Sequence, residues 1–287
     1  MPKVLIAGIN GQLGKALLNS FKNEFIIFGF GRTEQNMENY FQCDITDVEK
    51  LQAVFYEVKP DIVINAAAMV HCDNVEKGRE FAHKVNVVGN RNLLNLSKGV
   101  NAKFVFISSY YVFDGVKENY YEDDELNSVN YYGELKIVAE KETAEYNNSL
   151  IIRPGKIFSL GYDSRNFIAR LDNALKKGEE QFIIDDQYNN PIHADKLSDA
   201  IKELVRAGKK GVYHVAGKDY LSNYELALAF ANHFGLDINL IKTIHTKDTK
   251  QFAKRPMNVK LLTKKIEREG IKIYSLKEMF EDGYDGR

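Results

Sequence analysis

The sequence has no tryptophan and only two cysteines in 287 residues. Without tryptophan, no ligand can rest on an indole face. Cys43 and Cys72 show no metal-ligand spacing, which excludes a cysteine-based zinc site. They read as reduced thiols of a cytoplasmic protein. No apolar run approaches the ~20 residues of a membrane-spanning helix. Charge of one sign is lacking too: 39 basic and 40 acidic residues leave a net charge of -1. That removes the electrostatic case for nucleic acid or an anionic membrane as partner. Internal repeats and low-complexity segments are missing. Met1-Pro2-Lys3 followed by Val4-Leu5-Ile6-Ala7 has the layout of a first strand and not of a signal peptide.

What is present is ordinary globular composition, 44% hydrophobic and 28% charged, enough for one large domain or two smaller ones. Lys3 to Ala7 is a short apolar run that predicts a buried parallel strand. It ends in Gly8-Ile9-Asn10-Gly11-Gln12-Leu13-Gly14, and Lys15 to Lys22 is helical in pattern. Strand, glycine-rich turn and helix predict a dinucleotide-binding unit. Gly8 suits the tight turn, Gly11 lets backbone N–H groups approach a pyrophosphate, and Gly14 lets helix and strand pack closely. The helix N-terminus then faces the phosphates. The plainer reading is a glycine-rich turn with no ligand.

Phe25 to Gly29 is the second predicted strand, and Arg32 follows it with no carboxylate to meet a ribose 2′-hydroxyl. Arg32 either meets a 2′-phosphate or is simply solvated; the first option favours NADPH and leaves NADH open. Asp44-Ile45 either lines an adenine pocket, or Asp44 caps a helix from Thr46 or Asp47. Asp61 to Ile64 is the third predicted strand. Ala66, Ala67 and Ala68 behind it either leave room for a ligand or let a helix pack on the sheet. Glu80 to Lys98 reads as one long helix carrying Asn86. Lys103 to Ile107 delivers Ser108 and Ser109 to the sheet edge, and acidic Tyr121 to Glu125 reads as a solvated loop. A helix through Tyr132 and Lys136 precedes the strand Ser149 to Arg153. This succession predicts an α/β fold, a Rossmann-type doubly wound parallel sheet with ligands at the carboxyl ends of its strands.

Tyr132 and Lys136 stand four residues apart, on one face of that helix. An ammonium beside a phenol favours phenolate, which predicts a lowered tyrosine pKa and a proton donor or acceptor. Ser109 supplies a hydroxyl to hold a substrate oxygen. Alone the pair also fits an exposed helix face. Its meaning comes from convergence: the glycine loop, Ala66 to Ala68, Ser109 and Tyr132–Lys136 all fall at one sheet edge.

Together these residues resemble the extended short-chain dehydrogenase/reductase superfamily, and within it the dTDP-4-dehydrorhamnose reductase family. The likeness is carried by the glycine motif, Asn65 to Ala68, Asp73 to Glu76, Val85-Asn86, Ser108-Ser109, Val112 to Gly115, Tyr132-Gly133 and Lys136. It continues through Asn166-Phe167, Asp186-Gln187, Pro191, Tyr213-His214, Ser222, Tyr224-Glu225, Arg255-Pro256 and Asn258. The resemblance implies that Ser109, Tyr132 and Lys136 are catalytic. Ser109 would bond the substrate carbonyl, Tyr132 would donate the proton, and Lys136 would hold the nicotinamide ribose and lower the tyrosine pKa. It implies a cofactor, NADPH with NADH open, framed by Gly8, Asn10, Gly11, Gln12, Leu13, Gly14, Arg32, Asp44, Ile45, Ala66, Ala67, Ala68, Asn86, Tyr132 and Lys136. Ser109, Tyr110, Lys156, Asn166 and Arg255 would meet a nucleotide-sugar substrate. Lys254-Arg255 either pairs a substrate diphosphate or is a solvated basic pair. Some members form homodimers with bound Mg²⁺, but no matching ligand set stands out here, so no metal is expected.

Three positions depart from the family pattern. Tyr110 replaces an aspartate beside the catalytic hydroxyl, Lys156 replaces a tryptophan that contacts the sugar, and Ile192 replaces a threonine. These changes remodel the sugar pocket and leave the hydride chemistry intact. The expected activity is NAD(P)H-dependent reduction of a 4-keto-6-deoxy nucleotide sugar in deoxysugar or polysaccharide biosynthesis, with an extra polar group such as N-acetyl on the sugar. The alternatives are an epimerase or 4,6-dehydratase of the superfamily, or a regulatory subunit like that of methionine adenosyltransferase. Tyr110-Tyr111 lacks the acidic residues a dehydratase places there. The expected domains are a Rossmann unit over residues 1–155, rejoined by segments of about 181–216, and a smaller substrate-binding lobe over most of 156–287. His193 and His214 read as structural. Asn258 onward reads as helical, and Ile238 to Ile241 as a strand.

Overall fold

The computed structural model describes residues 1–160 and 166–282. The chain opens with β1 (Lys3–Ala7), α1 (Gln12–Phe21), β2 (Ile26–Gly31), β3 (Tyr40–Gln42), α2 (Val48–Val58) and β4 (Ile62–Asn65). Short helices α3 (Cys72–Lys77) and α4 (Arg79–His83) lead through a π turn at Lys84–Val88 into α5 (Gly89–Gly99). Next come β5 (Lys103–Ile107), a 3-10 turn at Tyr110–Val112, β6 (Glu118–Tyr120), α6 (Tyr131–Ala144) and β7 (Ser149–Pro154). The second half runs β8 (Ile157–Phe158), α7 (Phe167–Lys176), β9 (Gln181–Ile184), β10 (Tyr188–Asn189), β11 (Ile192–His193), α8 (Ala194–Arg206) and β12 (Gly211–Val215). It ends with β13 (Leu221–Ser222), α9 (Asn223–His233), β14 (Ile241–Ile244), β15 (Asn258–Leu261), α10 (Lys264–Arg268) and α11 (Leu276–Glu281).

Seven parallel strands form the main sheet in the order β3-β2-β1-β4-β5-β7-β12. Alternation along β1 explains why every side chain there is apolar beyond Lys3. Val4 and Ile6 share a core with Leu13 and Leu17 of α1 and Leu197 and Ile201 of α8. Leu5 and Ala7 point the other way, to Leu51 and Val54 of α2 and Leu93 of α5. Both faces are covered, as a doubly wound sheet requires. Ser20 of α1 donates to Asp199 Oδ1 of α8 at 2.6 Å, and Asn90 of α5 donates to Thr143 Oγ1 of α6 at 3.2 Å. β2 and β4 flank β1, so the crevice between the loops after β1 and β4 is the point where the winding reverses.

The remaining strands build smaller sheets, β13-β10-β15-β6 and the pairs β11-β8 and β14-β9. Several details differ from the pattern reading. β3 has three residues on the sheet edge, none fully buried, too short to show a period. Asn258–Leu261 is a strand with Val259 and Leu261 buried; the lysine- and leucine-rich stretch after it hid the alternation. Ile238–Leu240 is a 3-10 turn and the strand begins at Ile241. Within 181–216, α8 and β12 pack with the main sheet, whereas β9 pairs with β14 in register Gln181↔Ile241. A four-residue apolar run fits either sheet, and its partner lies far along the chain. Thr246 N and Oγ1 donate to Asp186, fastening the loops that follow β9 and β14. No helix among the described residues is long and apolar enough to cross a membrane.

Candidate active site

The loop after β1 is built for close approach. Gly8 adopts φ +76°, and a Cβ there would lie 2.9 Å from the Ala67 backbone, so the two loops at the crevice nearly touch. Gly11 is the N-cap of α1 and offers no side-chain acceptor, which leaves the first N–H groups of the helix to a ligand. Gln12 Nε2 is buried and has no partner. An orphaned donor beside an uncapped helix start fits the phosphates of a dinucleotide. Asn10 Nδ2 donates to Tyr40 Oη at 2.9 Å, and Tyr40 donates to the Thr33 carbonyl, tying the glycine loop to the β2–β3 edge. Arg32 stands exposed at the end of β2, its carbonyl held by Gln42 Nε2.

Other expected cofactor residues brace the loops around the crevice. Asp44 accepts from Thr46 N and Oγ1, both at 2.8 Å, and closes a turn; Asp47, not Asp44, caps α2. Ile45 is buried, 2.8 Å from where a Cβ on Gly89 would sit. Asn65 Oδ1 accepts from Ala67 N and its amide donates to Asn90, which shapes the Ala66–Ala68 loop. Asn86 bonds both backbone groups of Met69, at 2.8 and 2.9 Å. One donor and one acceptor site of its amide are used there, so Asn86 holds the loop after β4. It sits in the π turn that interrupts the expected long helix, the kind of bulge found at functional sites.

β5 and α6 bring the candidate trio together. Ser109 caps the 3-10 turn, accepting from Tyr111 N at 3.2 Å, and lies near the Tyr132 hydroxyl. Asn130 caps α6 through Gly133 N at 3.0 Å and holds the Lys254 carbonyl. A Cβ on Gly133 would fall 2.1 Å from the Tyr111 carbonyl, so only glycine lets the helix start this close to the Ser109 turn. Tyr132 is 7% exposed and Lys136 3%. Lys136 Nζ donates to the Ile107 carbonyl at 2.8 Å and lies 5.9 Å from the centre of the Tyr132 ring. The expected lowering of the Tyr132 pKa is not found in this structure. Burial pushes the phenol up, and the ammonium is turned toward a carbonyl instead. Burial also brings Lys136 down to about 8, with Glu140 opposing.

One cleft lies beside Tyr110 and Tyr111, whose rings are 4.6 Å apart, and a larger one adjoins it. The smaller, about 170 Å³, is lined by both tyrosines, Lys156, Asn189 and Arg255. The larger, about 330 Å³, is lined by Lys156, Phe167, Arg170, Gln181 and Phe182. Lys156, Asn223 and Gln251 border both. Arg255 is paired with Asp73 at 2.9 Å, so it is neither a solvated residue nor an unmatched cation. Asn166 lines neither cleft. Its Oδ1 caps α7 at Ile168 N and its amide donates to Ser159 Oγ at 2.8 Å, which fixes the start of α7.

Residues 2–284 match the family model described as the RmlD substrate binding domain. The chain belongs to that family. It is 29% identical to the dTDP-4-dehydrorhamnose reductase of Aggregatibacter actinomycetemcomitans, over 93% of each chain. It is 29% identical to the methionine adenosyltransferase 2 subunit beta of Xenopus laevis, over 94% of this chain and 83% of that one. The solved dTDP-4-dehydrorhamnose reductase of Bacillus anthracis in complex with NADP superposes with a TM-score of 0.88, at 28% identity over 98% of this chain and 99% of that one.

This RmlD-family chain carries a buried charge cluster beneath the trio that motif reading passed over. Glu140 and Arg153 form a two-pronged ion pair at 2.7 to 3.1 Å, each side chain 4% exposed. Ser108 donates to Glu140, and Arg153 donates to the Glu122 carbonyl at 3.0 Å. The acidic loop is therefore partly anchored, not simply solvated. The available signal was spacing: Tyr132, Lys136 and Glu140 repeat every four residues on one helix face. His214 lies 3.5 Å from Arg153, and burial with that neighbouring charge drives it down to about 3, so it is neutral. His193 stands at the N-cap of α8, and its Nε2 accepts from Leu160 N at 3.1 Å.

Proposed function

We propose that the protein reduces a 4-keto-6-deoxy nucleotide sugar in deoxysugar or polysaccharide biosynthesis, with NADPH as donor and NADH as the alternative. The observation that carries this reading is the grouping of Ser109, Tyr132 and Lys136 at the carboxyl edge of the sheet, with all three buried and Lys136 Nζ bonded to the Ile107 carbonyl. In this reading residues 1–155 with α8 and β12 hold the cofactor, and the lobe over 156–287 holds the sugar nucleotide. Bound NADPH would supply the hydride to the carbonyl carbon. The start of α1, Gln12, and the Ala66–Ala68 loop would hold it. Ser109 Oγ donates to the keto oxygen and fixes its position. Tyr132 transfers its phenolic proton to that oxygen as the alkoxide forms. A resting phenol held high stays protonated, which suits a donor. The Lys136 ammonium then stabilises the phenolate by charge. The free, buried thiols of Cys43 and Cys72 suit a cytoplasmic protein.

A second reading, a non-catalytic subunit, is favoured by the likeness to the methionine adenosyltransferase 2 subunit beta. The test is oxidation of NADPH and NADH followed by absorbance against dTDP- and UDP-linked 4-keto-6-deoxy sugars. Turnover that Tyr132→Phe lowers by about 10²-fold or more, with cofactor binding kept, supports the reductase. Tight cofactor binding with no turnover on any sugar nucleotide sinks it in favour of the second reading. Product formed without net cofactor consumption points to an epimerase.

A further inference from the structure

We infer that Lys156 reads an anionic oxygen of the ligand at the junction of the two clefts, an inference that rests on the nucleotide-sugar reading above. Three cations, Lys156, Arg170 and Arg255, line the clefts, and among the described lining residues there is no carboxylate. That is a sharp local bias in a chain with 40 acidic residues. The three cations are not equivalent. Arg255 already has Asp73 as counter-ion. Among the described residues Lys156 has no anionic partner: its Nζ donates to Asn223 Oδ1 and lies 4.4 Å from the centre of the Phe167 ring, with the cation of Arg170 nearby. An enclosed ammonium satisfied by one amide oxygen and an aromatic face lacks the counter-charge that such a group demands. The cleft opening on either side of it is where that charge has room to arrive.

Size decides which part of a ligand this is. The cleft of about 170 Å³ beside Tyr110 and Tyr111 accommodates one sugar ring and is too small for a nucleotide. The neighbouring cleft of about 330 Å³ reaches the size of ordinary small-molecule sites, which start at about 300 Å³. A nucleotide sugar laid across both puts its diphosphate at the shared wall, where Lys156 stands. A carboxylate carried by the sugar would reach the same ammonium from the smaller cleft. The shared chemistry is an anionic oxygen. A flat indole face at this position would offer dispersion to a ring; an ammonium offers charge instead.

The experiment is calorimetric titration of NADPH-loaded wild type, Lys156→Met and Lys156→Arg with thymidine, dTDP, UDP-glucose and UDP-glucuronate. Lys156→Met should weaken the anionic ligands by about tenfold to a hundredfold, with thymidine unchanged and Lys156→Arg near wild type. Equal loss for dTDP, UDP-glucose and UDP-glucuronate identifies the diphosphate as the anion. Loss confined to UDP-glucuronate identifies a sugar carboxylate. Unchanged binding of all three in Lys156→Met overturns the inference. NADPH affinity and melting temperature report whether each variant folds, and Lys156→Gln, which can keep the Asn223 bond, replaces Lys156→Met if the latter does not. Failure of the reductase reading looks different: charge-dependent binding persists with no NADPH oxidation on any keto sugar.

Discussion

The ammonium of Lys136 points at the Ile107 carbonyl, 2.8 Å away, and lies 5.9 Å from the centre of the Tyr132 ring. The two groups share a helix face but not a hydrogen bond. Their influence on each other is therefore charge across a short, dry space, and it operates only while Lys136 carries its proton.

That gives a pH dependence. Burial brings Lys136 to about 8, so reductase turnover falls as pH rises through about 8. The sign for stability is the reverse. An unfolded lysine titrates near 10.4, so between about 8 and about 10.4 the unfolded chain binds more protons and stability rises with pH. The slope from this residue is at most about 1.4 kcal/mol per pH unit. Lys136→Met should flatten it, as urea midpoints at about pH 7.5 and about pH 9.5 would reveal. A wild-type profile no steeper than the variant's would show that Lys136 titrates elsewhere.

Glu140 and Arg153 supply a second prediction. Removing one member leaves a buried charge unpaired, so Arg153→Met alone should cost about 3–5 kcal/mol. Glu140→Leu alone should also destabilise, and the double variant should recover much of the loss. Denaturant unfolding of the four proteins measures the coupling. Additive single effects would mean that the pair does not act as a unit. Because Ser108 and Lys136 adjoin Glu140, turnover in the double variant should remain low even where stability returns.

The large sheet was legible because parallel strands buried on both faces read as apolar runs; Ser109 follows such a run, and Tyr132 and Lys136 stand out by their four-residue spacing within α6. The smaller sheets were not. β10, β11 and β13 have two residues each, below any detectable period, and β9 finds its partner in β14. Asn166 and Asn86 show a second limit. Both stand at motif positions, yet their amides face backbone, a distinction that depends on where Ser159 and Met69 come to lie. The fate of the Tyr132 pKa was hidden for the same reason, since composition does not reveal which acceptor Lys136 finds.

Gly133→Ala tests the spacing between the Ser109 turn and α6. A methyl group 2.1 Å from the Tyr111 carbonyl cannot be accommodated without moving one element. The helix start should shift and carry Tyr132 away from the Ser109 turn. The expected outcome is a kcat lowered by at least about tenfold with cofactor affinity kept, since a small misplacement of reacting groups costs that much. Steady-state kinetics with NADPH titration checks it. An unchanged kcat would mean that the hydroxyls need not be held together before substrate arrives.

In the reading proposed above, cofactor choice would turn on Arg32. It stands exposed at the end of β2, beside the edge where Asn10 and Tyr40 close the glycine loop. No carboxylate occupies the strand end to bond a ribose diol, and a guanidinium there suits a 2′-phosphate. Arg32→Ser should therefore raise KM for NADPH by about tenfold or more and leave KM for NADH within about twofold. Because the site is exposed, the NADPH effect should shrink as salt is raised. Equal KM changes for both cofactors would indicate a disturbed loop, and no change for either would make Arg32 a solvated side chain. The wild-type ratio of the two KM values is then the informative control, since only a protein that already prefers NADPH can lose that preference.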